Sequence, residues 1–446
     1  MTTPSYAEVS ARLQARWPEH KIAPTLDRVR RLTQLLGDPQ KSYPVIHLTG
    51  TNGKTSTARM VDALLREAGL RTGRFTSPHL ETVRERITLD GEPVSEQRFT
   101  DAYAELEPYL ELVDSELDVP LTFFEVITAL AFAIFADAPV DVAIVEVGLG
   151  GTWDCTNVAD GTVAVVTPVA VDHSRILGDN AVDIAADKAG IIKPGATAVM
   201  ALQTPEVFEV LLRRSAEVGA TIAREGFEFG VMSREVAVGG QLLTLRGLAG
   251  EYDEVFVPLH GEHQARNAVT ALAAVEAFVG AAEDKQVDPD LVRRGFAQVT
   301  SPGRLEVVRH SPAVLIDAAH NPHGAQSVAD AVSEAFAFSP LIGVLGCMKD
   351  KDVYGVLEAF EPIMDTVVCT RNSFDRSMPA EELGAEAAEV FGDDRVVVVP
   401  RLDDAIAEAV RLAEEKATAL GTGGVLVTGS VITAGEARVL LGGGPS

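Results

Sequence analysis

Gly50, Thr51, Asn52, Gly53, Lys54, Thr55 and Ser56 put two glycines, a lysine and three hydroxyls into one short segment. They follow the apolar run "VIHLT" and precede a helical pattern over about 54–68. Backbone N–H groups at a helix N-terminus point at phosphate oxygens, and glycines let the backbone come close. Lys54 would bridge the terminal phosphates of a nucleotide, with the Thr55 and Ser56 hydroxyls on phosphate or on a metal. The common GxxxxGK[ST] spacing puts a glycine at position 48, which here is Leu48; the first glycine is Gly50. No NKxD-type guanine reader occurs in the chain, so ATP is favoured over GTP.

Other residues gather where strands should end. Glu146 closes the run "DVAIVE" and so emerges at the carboxyl edge of a parallel strand, where α/β proteins bind ligands. The glycine-rich stretch "GLGGTWDCTN" at 148–157 is able to wrap a ligand. "VLIDAAHNP" sets Asp317 and His320 at a second strand end. Read plainly, Lys188 beside Asp187 is a solvated helical lysine, and a lone His173 is structural.

These residues need an α/β frame. Strands are expected at "PVIHLTG", "DVAIVEVG", "TVAVVTP" and "ATAVMAL", with helices near 54–68, 122–136 and 179–192. From Phe227 to Pro258 the pattern shortens and alternates around Gly-rich turns, which predicts an antiparallel patch attached to the main sheet. Helices follow at about 262–279 and 289–299. "VTSPGRLEVV" reads as a hinge, with a boundary near Ser301. Beyond it a second α/β series has strands at "AVLIDAAHNP", "LIGVLGCM", "DTVVCT", "RVVVV" and "GGVLVTGS". The expectation is an N-terminal P-loop ATPase domain, 1–300, with a mostly parallel sheet, and a Rossmann-like α/β domain, 301–446.

A net charge of −27 repels a polyphosphate backbone and argues against nucleic acid. Anionic ligands must then meet local Lys, Arg, metal or helix N-termini. Cys155, Cys347 and Cys369 are isolated thiols suited to a reducing compartment. The N-terminus lacks a signal-peptide core, and "VITALAFAIFA" falls short of the roughly 20 residues that span a bilayer. A cytoplasmic protein away from membranes is expected.

The loop TGTNGKT resembles that of the Mur ligase superfamily of ATP-dependent amide-forming ligases. The ordered set "TSPHL", "ERI", "TFFEVITALAF", "VEVGLGGTWDCTNV", "DKAGIIK", "HGEHQARNA", "SPGRLE", "DAAHNP" and "TGS" is similar to folylpolyglutamate synthase/dihydrofolate synthase, over about Trp17 to Leu441. Only about 45 residues precede the loop, too few for the nucleotide-sugar domain of a cell-wall Mur ligase.

The resemblance implies a monomer that joins L-glutamate to folate or dihydropteroate, through an acyl phosphate, with ATP giving ADP and phosphate. It implies two Mg2+ ions, with Glu146 shared, Ser77 on one and His173 on the other, and Lys188 at the second ion as a carbamate. It places ATP on residues 50–56, Asn267, Arg304, Asp317 and His320. The pterin falls to His79, Phe124 and Asp154, and glutamate to Arg86, His320 and Ser430. An ATP site drawn from both domains implies closure that keeps water from the acyl phosphate. Thr152-Trp153 stand where an Arg and a smaller apolar residue are frequent in the family, which bears on pocket shape. The competing readings are a Mur-type ligase for another acid and an ATP-binding regulator without ligase chemistry. Lys54, Glu146, His173 and Lys188 together speak against the latter.

Overall fold

A computed structural model describes residues 4–18, 24–282, 285–417 and 422–442. The Gly-rich tail beyond 442 therefore lies outside the described residues. The chain divides into two compact units: Met1–Ser233, Leu243–Val257 and Arg266–Val299 form one, and Arg234–Leu242, Pro258–Ala265 and Thr300–Ser446 the other.

The first unit is built on β1 (Val45–Thr49), β2 (Thr72–Phe75), β3 (Ile87–Leu89), β4 (Glu92–Pro93), β5 (Val142–Glu146), β6 (Gly161–Val166), β7 (Thr197–Met200) and β8 (Thr221–Arg224). They form one sheet in the order β4-β3-β2-β5-β1-β6-β7-β8. From β2 to β8 all neighbours are parallel; β3 and β4 add antiparallel at one edge. β1 and β5 are buried along their whole length, as near-continuous Val/Ile/Leu runs require when both faces are covered. Their carboxyl ends align, with Leu48 opposite Glu146 and Thr49 opposite Val166. Leu48, where the commoner motif has glycine, is a core residue of β1.

The helix Phe123–Asp137 is apolar on nearly every side and buried within the core. Thr122 caps it: its hydroxyl accepts from the Glu125 N–H and the Glu125 carboxylate accepts from the Thr122 N–H. Arg28 pairs with that carboxylate at 2.9 Å in a buried ion pair. The start of this helix, with Phe123 and Phe124, is thereby fixed.

β2 escapes a hydrophobic reading because Thr72 and Arg74 are polar. Asp62 neutralises both: its carboxylate, on the helix Lys54–Glu67, accepts from the Thr72 hydroxyl at 2.5 Å and from Arg74 Nη1 at 2.7 Å. All three are buried. The segment predicted as a patch on the main sheet instead makes a sheet of its own: β9 (Gly230–Ala237), β10 (Gly240–Arg246) and β11 (Glu251–Val257), in the order β11-β10-β9. The turn from Glu225 to Phe229, closed by the Gly226 N–H on the Phe229 carbonyl, redirects the chain after β8.

The second unit carries β12 (Glu306–His310), β13 (Ala313–Ile316), β14 (Phe338–Leu345), β15 (Thr366–Arg371), β16 (Val396–Arg401) and β17 (Thr422–Thr428), in the order β12-β13-β17-β14-β15-β16. β12 is antiparallel to β13; the remaining pairs are parallel, with helices between successive strands.

Asp62→Ala leaves Arg74 buried without its carboxylate. The expected cost is about 3 kcal/mol, read as a lower denaturant midpoint, and Arg74→Met in the same chain should recover much of it.

Candidate active site

The phosphate loop is held at the carboxyl end of β1 by its neighbours. The Thr51 N–H donates to the Pro168 carbonyl, and the Thr51 hydroxyl exchanges hydrogen bonds with Ala170. Gly50 has φ 145°, and a Cβ there would stand 1.9 Å from Thr167 Oγ1, so only glycine fits. The helix Lys54–Glu67 starts directly after the loop. Asn267 lies against Gly53, its Oδ1 2.5 Å from where a Cβ would sit. Asn267 is thus brought to the phosphate loop.

Two ammonium groups converge on one carbonyl. Lys54 Nζ donates to the Gly50 carbonyl at 3.0 Å and to the Thr51 carbonyl at 3.2 Å. Lys188 Nζ donates to the same Gly50 carbonyl at 2.9 Å. Lys188 is buried, which overturns its plain reading as a surface residue. Burial, and secondly the charge of Lys54, depress its pKa to about 7, against the pull of Asp187, Asp172 and Asp154. The shift favours the neutral amine over the ammonium relative to a solvated lysine.

The glycine-rich loop packs on the backbone of that lysine. A Cβ on Gly151 would stand 2.8 Å from Lys188 Cα and from the Asp187 carbonyl oxygen. Thr152 ties the two together: its N–H and its hydroxyl both donate to the Asp187 carbonyl, at 3.0 and 2.8 Å. The Thr49 hydroxyl donates to the Gly150 carbonyl at 2.7 Å, linking the loop to the end of β1.

Glu146 is buried at the tip of β5. The Thr55 hydroxyl is 3.0 Å from both carboxylate oxygens, and the Ser77 N–H donates to one at 3.4 Å. Thr55 and Glu146 thus bring hard oxygen donors together beside the Ser77 backbone, a set that fits Mg2+. His173 has φ 52° and a partly exposed ring 4.0 Å from the Asp172 carboxylate. Asp172 acts on the charge of Lys188, so the 172–173 segment belongs to the lysine's side of the site. Among the described residues no group of three His, Cys, Asp or Glu gathers to hold a metal. An ion here would complete its shell with phosphate and water, as Mg2+ usually does.

His79 and Arg86, expected on different substrates, form one pair: Arg86 Nε donates to His79 Nδ1 at 2.8 Å. The Arg86 guanidinium also lies over the Phe123 ring, 5.0 Å from its centroid, and the residue is buried. Burial, then the Arg86 charge, hold His79 neutral, with a pKa of about 3. Phe124 stacks at a tilt on Phe75, 5.8 Å between centroids. Asp154 is buried and turned into its own loop, accepting from the Leu149 and Thr156 N–H groups and from the Thr156 hydroxyl. Its carboxylate shapes the loop where a direct pterin contact was expected.

Comparison with known proteins decides the family. The Mur ligase middle domain family matches residues 48–275, and the Mur ligase glutamate ligase domain family matches 303–431. The chain is 50% identical to the dihydrofolate synthase/folylpolyglutamate synthase of Mycobacterium tuberculosis, over 99% of this chain and 95% of that one. It belongs to the dihydrofolate synthase/folylpolyglutamate synthase family. The fold agrees with that of a Mycobacterium tuberculosis folylpolyglutamate synthase complexed with ADP and AMPPCP, with TM-score 0.94 and 50% identity over 99% of both chains. Escherichia coli FolC in complex with DHPP and ADP superposes with TM-score 0.84 at 30% identity, over 98% of each chain.

In the glutamate ligase domain of this family member, Arg304, Asp317 and His320 come together. Asp317 accepts from the Leu305 and Ala319 N–H groups, and burial raises its pKa against the pull of Arg304 and His320. His320 Nδ1 donates to the Ala318 carbonyl at 3.0 Å. Ser430 is buried: it caps the helix Val431–Leu440 and bonds Asn372 and Thr433, so its hydroxyl is engaged within the fold. Sequence reasoning passed over Asp172, Thr167 and His47. Only His47 gave a signal, a histidine inside an apolar strand.

Gly50→Ala should weaken binding of an ATP analogue by about tenfold or more, because the added Cβ must displace Thr167 or the loop. Unchanged far-UV circular dichroism alongside the weaker affinity, measured by calorimetry, would place the effect in the loop.

Proposed function

We infer that the protein is an ATP-dependent ligase that adds L-glutamate to folates, and to dihydropteroate as a second acceptor. The observation that carries this reading is the pair Lys54 and Lys188 on the Gly50 carbonyl, at a phosphate loop in a chain of this family. We assign ATP binding to residues 1–300 and glutamate ligation to residues 301–446. Three buried free thiols agree with the cytoplasm. Among the described residues no helix is long and apolar enough to cross a membrane.

A carboxylate is a poor acyl donor because its oxygen leaves badly. Its oxygen attacks the terminal phosphorus of ATP, the bond to ADP breaks, and an acyl phosphate forms. The glutamate amine then attacks the acyl carbon, and phosphate departs as the amide closes and the amine loses its proton. Lys54 leaves the Gly50 and Thr51 carbonyls for the terminal phosphate oxygens and stabilises the charge that builds there. Thr55 and Ser56 orient those oxygens. Ser77, Glu146, His173 and a carbamate on Lys188 would hold two Mg2+ ions, which supply charge neutralisation at the phosphates when bound. Phe124 supports the pterin, and His79, held neutral by burial and then by the Arg86 charge, offers its Nε2–H to it. Arg86 is committed to His79 and Phe123, which makes it a support of the acid substrate's side and leaves His320 as the better glutamate candidate.

The purified protein should release ADP only when both glutamate and a pterin acid, dihydropteroate or tetrahydrofolate, are present. Lys54→Ala should retain the fold and lose about 100-fold or more in turnover at saturating ATP. ADP release independent of the pterin would return the chain to another acid or to a regulatory role.

The depressed amine of Lys188 is suited to carbamylation. Neutral Nζ attacks carbon dioxide, an N–C bond forms as one C=O π bond opens, and the nitrogen proton passes to water. The product is an anionic oxygen donor in place of a cation. Carbon-13 NMR under labelled bicarbonate should show a carbamate signal that appears as the pH rises through about 7 and that Lys188→Ala lacks. Identical spectra from the two proteins would leave Lys188 a plain amine.

A further inference from the structure

His47 takes no part in the chemistry above, yet it is polar and fully buried at the centre of the sheet. It lies in β1, two residues before Thr49, with Val145 of β5 and Ala164 of β6 beside it. Its Nε2 is 2.9 Å from Thr156 Oγ1, and that hydroxyl is 2.5 Å from Asp154 Oδ1. The direction of these bonds follows from counting protons. Both Asp154 oxygens already accept backbone N–H groups, from Thr156 and Leu149, so the carboxylate acts as the acceptor of the Thr156 hydroxyl proton. Thr156 Oγ1 must then receive its other hydrogen bond, and His47 Nε2 carries the proton. The opposite nitrogen, Nδ1, is buried without a hydrogen-bond partner among the described residues. A buried polar atom left unsatisfied is costly, so what the side chain contributes here comes through its one donating nitrogen.

We propose that His47 is a positioning residue that holds the glycine-rich loop, through Thr156 and Asp154, in register with the phosphate loop beginning three residues after it. Asp154 brackets residues 149–156 by gathering N–H groups from both ends of that segment. His47 anchors the bracket to the strand that carries Gly50. The Thr49 hydroxyl on the Gly150 carbonyl is a second tie between the same two segments, at the loop's near end. Together they fix the distance between bound phosphate and the acid substrate, on which in-line attack depends. The proposal rests on the reading that residues 148–157 and Phe124 face the pterin acid.

The test compares side chains that keep or lose the donor. The glutamine amide nitrogen reaches the place of Nε2, whereas phenylalanine keeps only the size. His47→Phe should raise KM for tetrahydrofolate and lower kcat by about tenfold each, with KM for ATP within about twofold. His47→Gln should recover both to within about threefold of the natural chain. Thr156→Val should reproduce the phenylalanine defect, Thr156→Ser should not, and the double variant His47→Phe with Thr156→Val should be no worse than either alone. Equal behaviour of the glutamine and phenylalanine variants, or additive losses in the double variant, would overturn the relay. If His47→Phe does not fold, the near-isosteric Thr156 pair decides by the same criteria. Phe124→Ala separates the underlying reading. If it leaves KM for tetrahydrofolate unchanged, the loop does not face the acid and the proposal falls with that reading. If it raises KM while His47→Phe changes nothing, only the relay falls.

Discussion

Two lysines share one backbone carbonyl, and much of the first unit serves that arrangement. Like charges so close repel, and burial removes the water that would otherwise screen them. The Gly50 carbonyl can accept from both, and the flanking Asp172, Asp187 and Asp154 supply part of the opposing field. The remaining tension appears as the lowered pKa of Lys188, the more deeply buried of the two. A bound polyphosphate would relieve it by taking Lys54, and conversion of Lys188 to an anion would remove it altogether.

Much of the frame was legible in the sequence because apolar runs and glycine turns report their own structure. β1, β5, β6 and β7, and the helices beginning at Lys54, Phe123 and Glu262, lie where periodicity puts them. β2 was missed because its polar residues are neutralised by Asp62, ten residues or more away in sequence, and periodicity sees only neighbours. The three-stranded sheet was read as strands but given the wrong attachment, since hydrophobic pattern says nothing of which edge a strand joins.

The site was legible in its types more than in its contacts. Lys188 and Glu146 were singled out, and burial bears on both. Arg86 and His79 could not be seen as a pair from sequence: seven residues apart, they meet only because the segment between them turns back. Asp154 and Ser430 show the complementary limit. A short polar side chain at a loop or helix start is apt to satisfy local N–H groups first, and both do so here. In the sequence both read as ligand contacts, because capping and ligand binding call on the same short polar side chains.

The departure at Thr152 acquires a physical meaning in this frame. An arginine at that position would bring a long cation toward a site already holding Lys54 and Lys188. Threonine brings no charge, and its hydroxyl fastens the glycine-rich loop to the Asp187 carbonyl, one residue before the buried lysine. The same economy of charge runs through the chain. A net charge of −27 gives a field that opposes anionic substrates at long range, but salt screens it beyond roughly 8–10 Å. Lys188, buried at the end of its helix, and the half-buried Lys54 are screened far less, so they dominate once a substrate has entered. Affinity then depends on how few cations are placed and how they are paired, and a neutral tether such as Thr152 fastens the loop without adding another charge to repel Lys188.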